Sequence, residues 1–341
     1  MERSIVTLSR VIKVSFILLG LFALVVVVSM LVGPARIGFV QGFQGLLFGW
    51  QDGSAILTPS EKTIIFSIRL PRVLFAGLVG AALSAAGVIF QALLRNPLAD
   101  PYILGISGGS AVGAIIGIII GIGAVPFAIP GLAFCGAAAT VLLVFFIGRS
   151  NRELHSTTLL LAGVIVNAFF SAVIMFLISI STNTELHSIT FWLMGDLTLS
   201  SWFKILFVAI LLFAGFAVIY SYARPLNLIV TGEETALQLG VDVERTKIVL
   251  FMAGSLLTAV AVSFSGIIGF VGLIIPHIMR MIFGPDHRLL LPASFLFGAS
   301  FLIAADTIAR TIIPHTELPV GVITAMCGAP YFIYLLRRRS L

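Results

Sequence analysis

Stretches of about twenty apolar residues recur along this chain from end to end, each long enough to cross the roughly 30 Å hydrocarbon core of a bilayer. A backbone inside lipid must satisfy its own hydrogen bonds, so runs of this length fold as helices. Ten spans are expected, near residues 14–32, 63–93, 101–121, 129–147, 158–180, 202–222, 248–265, 267–283, 289–308 and 320–336. The predicted fold class is an all-α integral membrane protein of ten transmembrane helices, a single domain over residues 1–341. Only 10% of the 341 residues are charged, against about a quarter in a soluble domain. That leaves no room for a soluble catalytic domain. Arg3, Arg10 and Lys13 precede the first apolar run as they would in a signal peptide, but no convincing small-x-small cleavage site follows, so a retained first span is expected. A Gly-rich segment over residues 33–62 comes next, with Trp50 as an interface anchor.

The formal charge of +6 is an orientation signal and not a nucleic-acid one. Basic residues of membrane proteins gather on the cytoplasmic side. With both termini inside, fourteen of the twenty basic residues are cytoplasmic: Arg3, Arg10, Lys13, Arg95, Arg149, Arg152, Arg224, Arg245, Lys247, Arg280, Arg288 and Arg337 to Arg339. The other six, Arg36, Lys62, Arg69, Arg72, Lys204 and Arg310, fall outside. The count places residues 1–13, the loop 231–247 and the basic tail 337–341 in the cytoplasm. Cys135 and Cys327 each lie in an apolar span and imply no disulfide framework.

Six charges fall within the seventeen residues from Thr231 to Lys247. Thr231 and Glu234 have the T-x-x-E spacing of a capping box. Ala236, Leu237 and Leu239 give a short apolar face, and Gly240 suits a helix C-terminus that needs a positive φ. Asp242 can cap a second short helix running into Glu244 and Arg245. The stretch therefore reads as two short helices with a sharp bend outside the membrane; the plainer alternative is a solvated loop.

Small residues recur at four-residue spacing, Gly109, Gly113, Gly117 and Gly121 in one row and Ala76, Gly80 and Ser84 in another. Such rows let helix backbones approach closely, and packing within one subunit is the favoured reading over a subunit interface or pathway lining. Pro97, Pro101 and Pro276 break or bend helices at membrane depth, which needs neighbours for the freed carbonyls. Residues 73–77, Val-Leu-Phe-Ala-Gly, resemble residues 249–254, Val-Leu-Phe-Met-Ala-Gly. Each opens a set of four spans entering from opposite sides, the form of an inverted-topology repeat.

Catalytic patterns are missing: there is no H-E-x-x-H, no C-x-x-C and no Gly-Lys pair of a phosphate-binding loop. His155, His187, His277, His287 and His315 have no ligand spacing, so no metal is expected. Asp306 is the only acid inside a confident apolar run, with Arg310 one turn later. An i, i+4 pair at a helix end reads as structural rather than as the isolated carboxylate of a proton-coupled carrier. The driving energy must then come from outside the chain.

Arg69-Leu70-Pro71-Arg72 followed by residues 91–101, QALLRNPLADP, resembles the FecCD-type permeases of ABC importers. Further matches in order are residues 159–164 (LLLAGV), 191–195 (FWLMG), 269–277 (GFVGLIIPH), 284–288 (GPDHR), 305–307 (ADT), 317–322 (ELPVGV) and 328–330 (GAP). The resemblance implies a type II ABC importer permease fold for uptake of an iron–siderophore, with cobalamin or haem as alternatives. It implies a second permease copy or paralogue, two ATP-binding cassette subunits that bind ATP and Mg, and an extracytoplasmic substrate-binding protein. The setting it implies is a bacterial or archaeal cytoplasmic membrane. It assigns ATPase coupling to the stretch holding Thr231, Gly232, Glu233, Glu234, Ala236, Leu239 and Gly240. It assigns binding-protein docking to Arg69, Arg72 and Arg310. The chain itself would hold no cofactor and catalyse nothing. A proton-coupled secondary transporter and a non-transporting membrane anchor are the alternatives from other classes.

Overall fold

The computed structural model of the protein describes residues 6–35, 37–48, 56–150, 153–198, 201–313 and 316–339. Arg3, Arg36, Trp50, Arg152 and His315 lie outside the described residues. The helices are α1 (Leu8–Leu31), α2 (Phe39–Phe48), α3 (Pro59–Lys62), α4 (Leu70–Leu93), α5 (Ile106–Ile119), α6 (Ala128–Gly148), α7 (Ser156–Ile180) and α8 (Asn183–Leu193). They continue as α9 (Trp202–Ser221), α10 (Ala223–Thr231), α11 (Glu233–Gln238), α12 (Val243–Ser265), α13 (Val271–Phe283), α14 (His287–Ala309) and α15 (Val320–Arg339). A two-residue ribbon, Arg149–Ser150 paired with Glu153–Leu154, joins α6 to α7. Among the described residues, seven helices are long and apolar enough to cross a membrane, with α3 and α4 forming one continuous 35-residue rod. Helices α5, α13 and α15 are shorter apolar ones, so the expectation of ten spans is met by length and composition in seven.

The rod begins with a capping box. Glu61 N donates to Thr58 Oγ1 and Thr58 N donates back to Glu61 Oε2, and Gln41 Nε2 of α2 reaches the same carboxylate. Between α3 and α4, residues Thr63–Arg69 form a π-helical turn. From Leu70 onward α4 is the most enclosed helix, buried along almost its whole length. Its small residues explain why. A Cβ on Gly80 would collide with the carbonyl of Gly298 in α14, and one on Gly87 with the carbonyl of Gly272 in α13. Backbones this close gain dispersion contacts that lipid tails cannot supply.

The second buried helix is α12. It packs on α6 and α5, while α4 packs on α14 and α13. Each central helix thus lies against the second and third helices of the other set of four, a reciprocal packing. Gly109 and Gly113 face α6, where a Cβ would meet the carbonyls of Gly136 and Leu132, so this row packs within the subunit. Gly121 has open space around it and ends the row instead of packing.

Two expected spans start later than their apolar runs. The third opens with a 3₁₀ turn, Pro101–Leu104, and becomes α-helical only after Gly105, which sits at φ 77°. The eighth becomes helical at Val271, not Ile267. These two non-helical leads meet inside the bundle: Tyr102 Oη donates to Ile268 O at 3.1 Å and lies 3.2 Å from Ile268 N. Asp100 supports the contact by accepting from Tyr102 N at 2.8 Å. Freed backbone groups at both leads are thereby partnered, which is the condition for irregular backbone within a membrane bundle. The outward faces of α1, α7 and α9 carry exposed Phe16, Phe169, Phe176, Phe203 and Phe213, the surface expected against lipid.

Candidate coupling surface and the ion cluster at the opposite end

The polar stretch holds one short helix, α11, and the start of the long α12, where spacing predicts two short helices. Thr231 is the last residue of α10, and its Oγ1 donates back to Leu228 O at 2.7 Å. It does not cap α11, whose N-cap is Gly232 with no side-chain bond, so the Thr231–Glu234 capping box is corrected. A T-x-x-E box needs an extended residue at its start, and here the helix arriving from Ala223 already claims that threonine. Asp242 does cap a helix: its Oδ1 accepts from Arg245 N at 3.0 Å. That helix is not short, because it runs through Gly254 without a break and ends only at Gly266; it is α12 itself.

The turn from α11 into α12 follows the expected chemistry. Gly240 sits at φ 82°, its N–H donates to Leu237 O, and Val241 N–H donates to Ala236 O. This pair of bonds is a Schellman motif, which closes a helix around a left-handed residue. Ala236 is fully buried, in a small cluster with Ile229 and Val243, set apart from the main core. Leu237 and Leu239 point away, 59% and 63% exposed. Two exposed leucines on a polar, capped helix form an apolar contact face. Glu233 holds the segment to the bundle by accepting from Arg95 at 2.6 Å and from Lys247 at 2.5 Å. Glu244 Oε1 accepts from Leu154 N and ties in the β-ribbon. Glu234 is exposed on α11.

At the other end of the bundle the three arginines assigned to docking are all buried. Arg69 donates to Met30 O at 2.8 Å, Leu31 O at 3.2 Å and Ala35 O at 2.7 Å, satisfying carbonyls at and beyond the end of α1. Arg72 donates from Nε to both oxygens of Asp306, at 3.0 and 3.1 Å, and from Nη2 at 2.9 Å. Its Nη1 donates to Glu317 at 2.7 Å. Arg310 donates to Ser29 O and Oγ. The expected Asp306–Arg310 pair exists at 3.6 Å, but the close partner of Asp306 is Arg72. The expectation of outward-presented arginines is corrected: each guanidinium is enclosed and engaged within the chain. Glu317, 47% exposed in its side chain, is the member nearest the surface.

Spacing could not have joined Arg72 to Asp306, which lie 234 positions apart. It also missed Asn227, Gln91 and Arg280. Gln91 Nε2 donates to Leu273 O, and Arg280 Nη1 donates to Gln91 Oε1, fastening α13 to α4 near the coupling end. The available signal was a glutamine and an arginine inside otherwise apolar helices. Among the described residues no cluster of three or more metal-ligating side chains occurs.

The sequence from 21 to 338 matches the FecCD transport family. The chain belongs to that family. Three relatives show the range of its FecCD kin. The cobalamin import system permease BtuC of Halobacterium salinarum is 46% identical over 282 residues, covering 83% of this chain and 75% of that one. The ABC transporter permease YvrB of Bacillus subtilis, of uncharacterised role, is 45% identical over 89% of this chain and 85% of its own. The hemin transport system permease HmuU of Yersinia pestis is 39% identical over 93% and 95%. A solved structure described as an inward-facing metal-chelate type ABC transporter superposes with a TM-score of 0.80, at 34% identity, over 96% of this chain and 99% of that one. As a FecCD permease subunit with multiple apolar helices, the chain is not catalytic by itself.

Proposed function

We propose that this chain is the membrane permease of an ATP-driven importer of metal chelates. The observation that carries the reading is the exposed Leu237–Leu239 face on a helix closed by Gly240, in a chain of the FecCD family. An unpowered helical bundle with a rigid, partner-seeking polar segment fits an external motor. Two ATP-binding cassette subunits seat on α10 and α11, a second permease copy or paralogue completes the pathway, and a substrate-binding protein delivers the chelate on the opposite face. The coupling end is cytoplasmic, since Arg95, Arg224, Arg245, Lys247 and Arg288 gather there and the described outer end is poorer in basic residues. Both termini are then cytoplasmic, with ten spans in a bacterial or archaeal inner membrane.

Cobalamin and hemin each stand in the name of a relative. An iron–siderophore is the third candidate chelate, and neither of these two names points to it. Binding of the three by the partner binding protein, followed by ATP-dependent uptake into proteoliposomes, tests the proposal. Uptake that runs on a proton gradient without ATP would instead give the secondary-carrier reading, which the clasp of Arg72 on Asp306 disfavours because it holds the carboxylate in a bidentate pair.

A further inference from the structure

The coupling segment meets α14 through one amide. Asp286 caps α14, its Oδ1 accepting from Arg288 N at 2.9 Å, and its carboxylate clasps the Arg288 guanidinium. Asn227 of α10 faces this cap. Its Nδ2 donates to Asp286 Oδ1 at 2.8 Å, and its Oδ1 accepts from His287 N at 2.9 Å. The same oxygen lies 2.6 Å from His287 Nδ1, so that ring nitrogen carries the hydrogen. A carboxamide offers a donor and an acceptor in one plane, which is what an acidic acceptor beside two donors requires. Carboxylate lacks the donor, and an apolar group lacks both. His287 is buried, so its Nδ1–H has no water to turn to.

Around this joint α10 packs on α14, with Leu226 buried in the same core as Leu290 and Leu291. Helix α14 then runs from His287 to Ala309 and carries Asp306 at its far end, against Arg72. A polar joint at one end and an ion clasp at the other make α14 a bar between the two faces of the permease. We propose that Asn227 is a positioning residue that locks α10 to the start of α14, so that movement of the coupling segment passes into α14 and reaches Asp306. This inference rests on the reading of α10 and α11 as the ATPase-facing surface.

Two measurements test it on the full chain in nanodiscs. Hydrogen–deuterium exchange of the permease alone reads the joint without any partner. Asn227→Leu should speed exchange about tenfold at residues 226–231 and 287–291 together, and Asn227→Ser, too short to span the gap, should do the same if the leucine variant fails to insert. Asn227→Asp, which keeps an acceptor for His287 but sets a carboxylate against Asp286, should speed exchange at both segments as well. A rise confined to 226–231 overturns the joint. The second measurement adds the ATPase subunit and traps it with Mg-ATP and vanadate. Exchange at 287–309 should then change in the wild type and not in Asn227→Ser, although the variant still binds the ATPase and hydrolyses ATP. An equal change in both, or none in either, overturns transmission through Asn227. Failure of the wild-type permease to bind any ATPase would strike the coupling reading separately, with the exchange of the isolated chain still judging the joint.

Discussion

Replacing Asp306 with Asn removes the buried carboxylate that Arg72 and Arg310 share, leaving only the half-exposed Glu317 beside Arg72. The side chain of Asp306 is 1% exposed, and Arg72 donates to it three times at 2.9–3.1 Å. Asparagine keeps one acceptor oxygen, but its amide sets a second donor against the Arg72 donors. Breaking a buried pair while leaving the partner charged costs about 3–5 kcal/mol. Arg72 still reaches Glu317, and Arg310 still reaches Ser29, so the loss should lie at the lower end, about 3 kcal/mol. Unfolding of the purified permease by an SDS titration in mixed micelles, followed by tryptophan fluorescence, measures it. The double change Arg72→Met with Asp306→Leu should recover most of the loss, because an apolar pair of similar volume removes both desolvation penalties. The pH dependence of uptake should stay unchanged in whatever Asp306→Asn protein remains folded. A midpoint for Asp306→Asn equal to that of the wild type would refute the clasp as a source of stability. Full stability with lost proton dependence would favour a carrier.

Further expectations follow from the same geometry. Gly240→Val places a β-branched residue at φ 82° with nothing crowding its Cβ, so the penalty is backbone strain of about 1–2 kcal/mol confined to the turn; ATP-driven uptake should fall while membrane insertion persists. Gly87→Ala drives a methyl into the Gly272 carbonyl and should cut folded yield, whereas Gly131→Ala, with open space around it, should not; size-exclusion profiles after detergent extraction compare them. Arg72→Glu reverses a buried, engaged charge and should first reduce stability. A fully folded Arg72→Glu protein that loses binding-protein affinity, with a changed salt dependence, would return Arg72 to docking. Glu233→Gln loosens only partly exposed pairs and should shift stability by about 1 kcal/mol or less in the same SDS titration.

Local chemistry was legible in the sequence wherever a residue's requirement is met by near neighbours. Gly240 needs only its own φ and the carbonyls of the preceding turn, and Asp242 needs only the next three residues. The same locality misled at Thr231, because a capping motif is defined by what precedes it and α10 arrives there still helical. Helix positions followed from apolar length, except where Gly105 and Phe270 delay the helix and let Tyr102 meet Ile268. The rows of small residues announced close packing at Gly80 and Gly109 without naming Gly298 or Gly136 as partners. The ion cluster lay beyond reach for a different reason. An i, i+4 spacing makes Asp306 and Arg310 neighbours on one helix, but the fold brings a distant arginine nearer and in better register with the carboxylate.

The π-helical turn at Thr63–Arg69 lets a helix hold one residue more than regular winding allows without breaking it. Its surplus residue offsets the segment before the turn by about 100° around the axis, since a regular helix turns once per 3.6 residues. Glu61, on the near side, is thereby aimed at Gln41 of α2, while Arg72, on the far side, is aimed at α14. Shortening the rod by one residue within 63–69 would leave both halves helical and both sets of partners in place, yet out of phase with each other. The wide turn acts as a phase adjuster: it reconciles an outer collar and an inner bundle whose angular settings a uniform helix could not serve together.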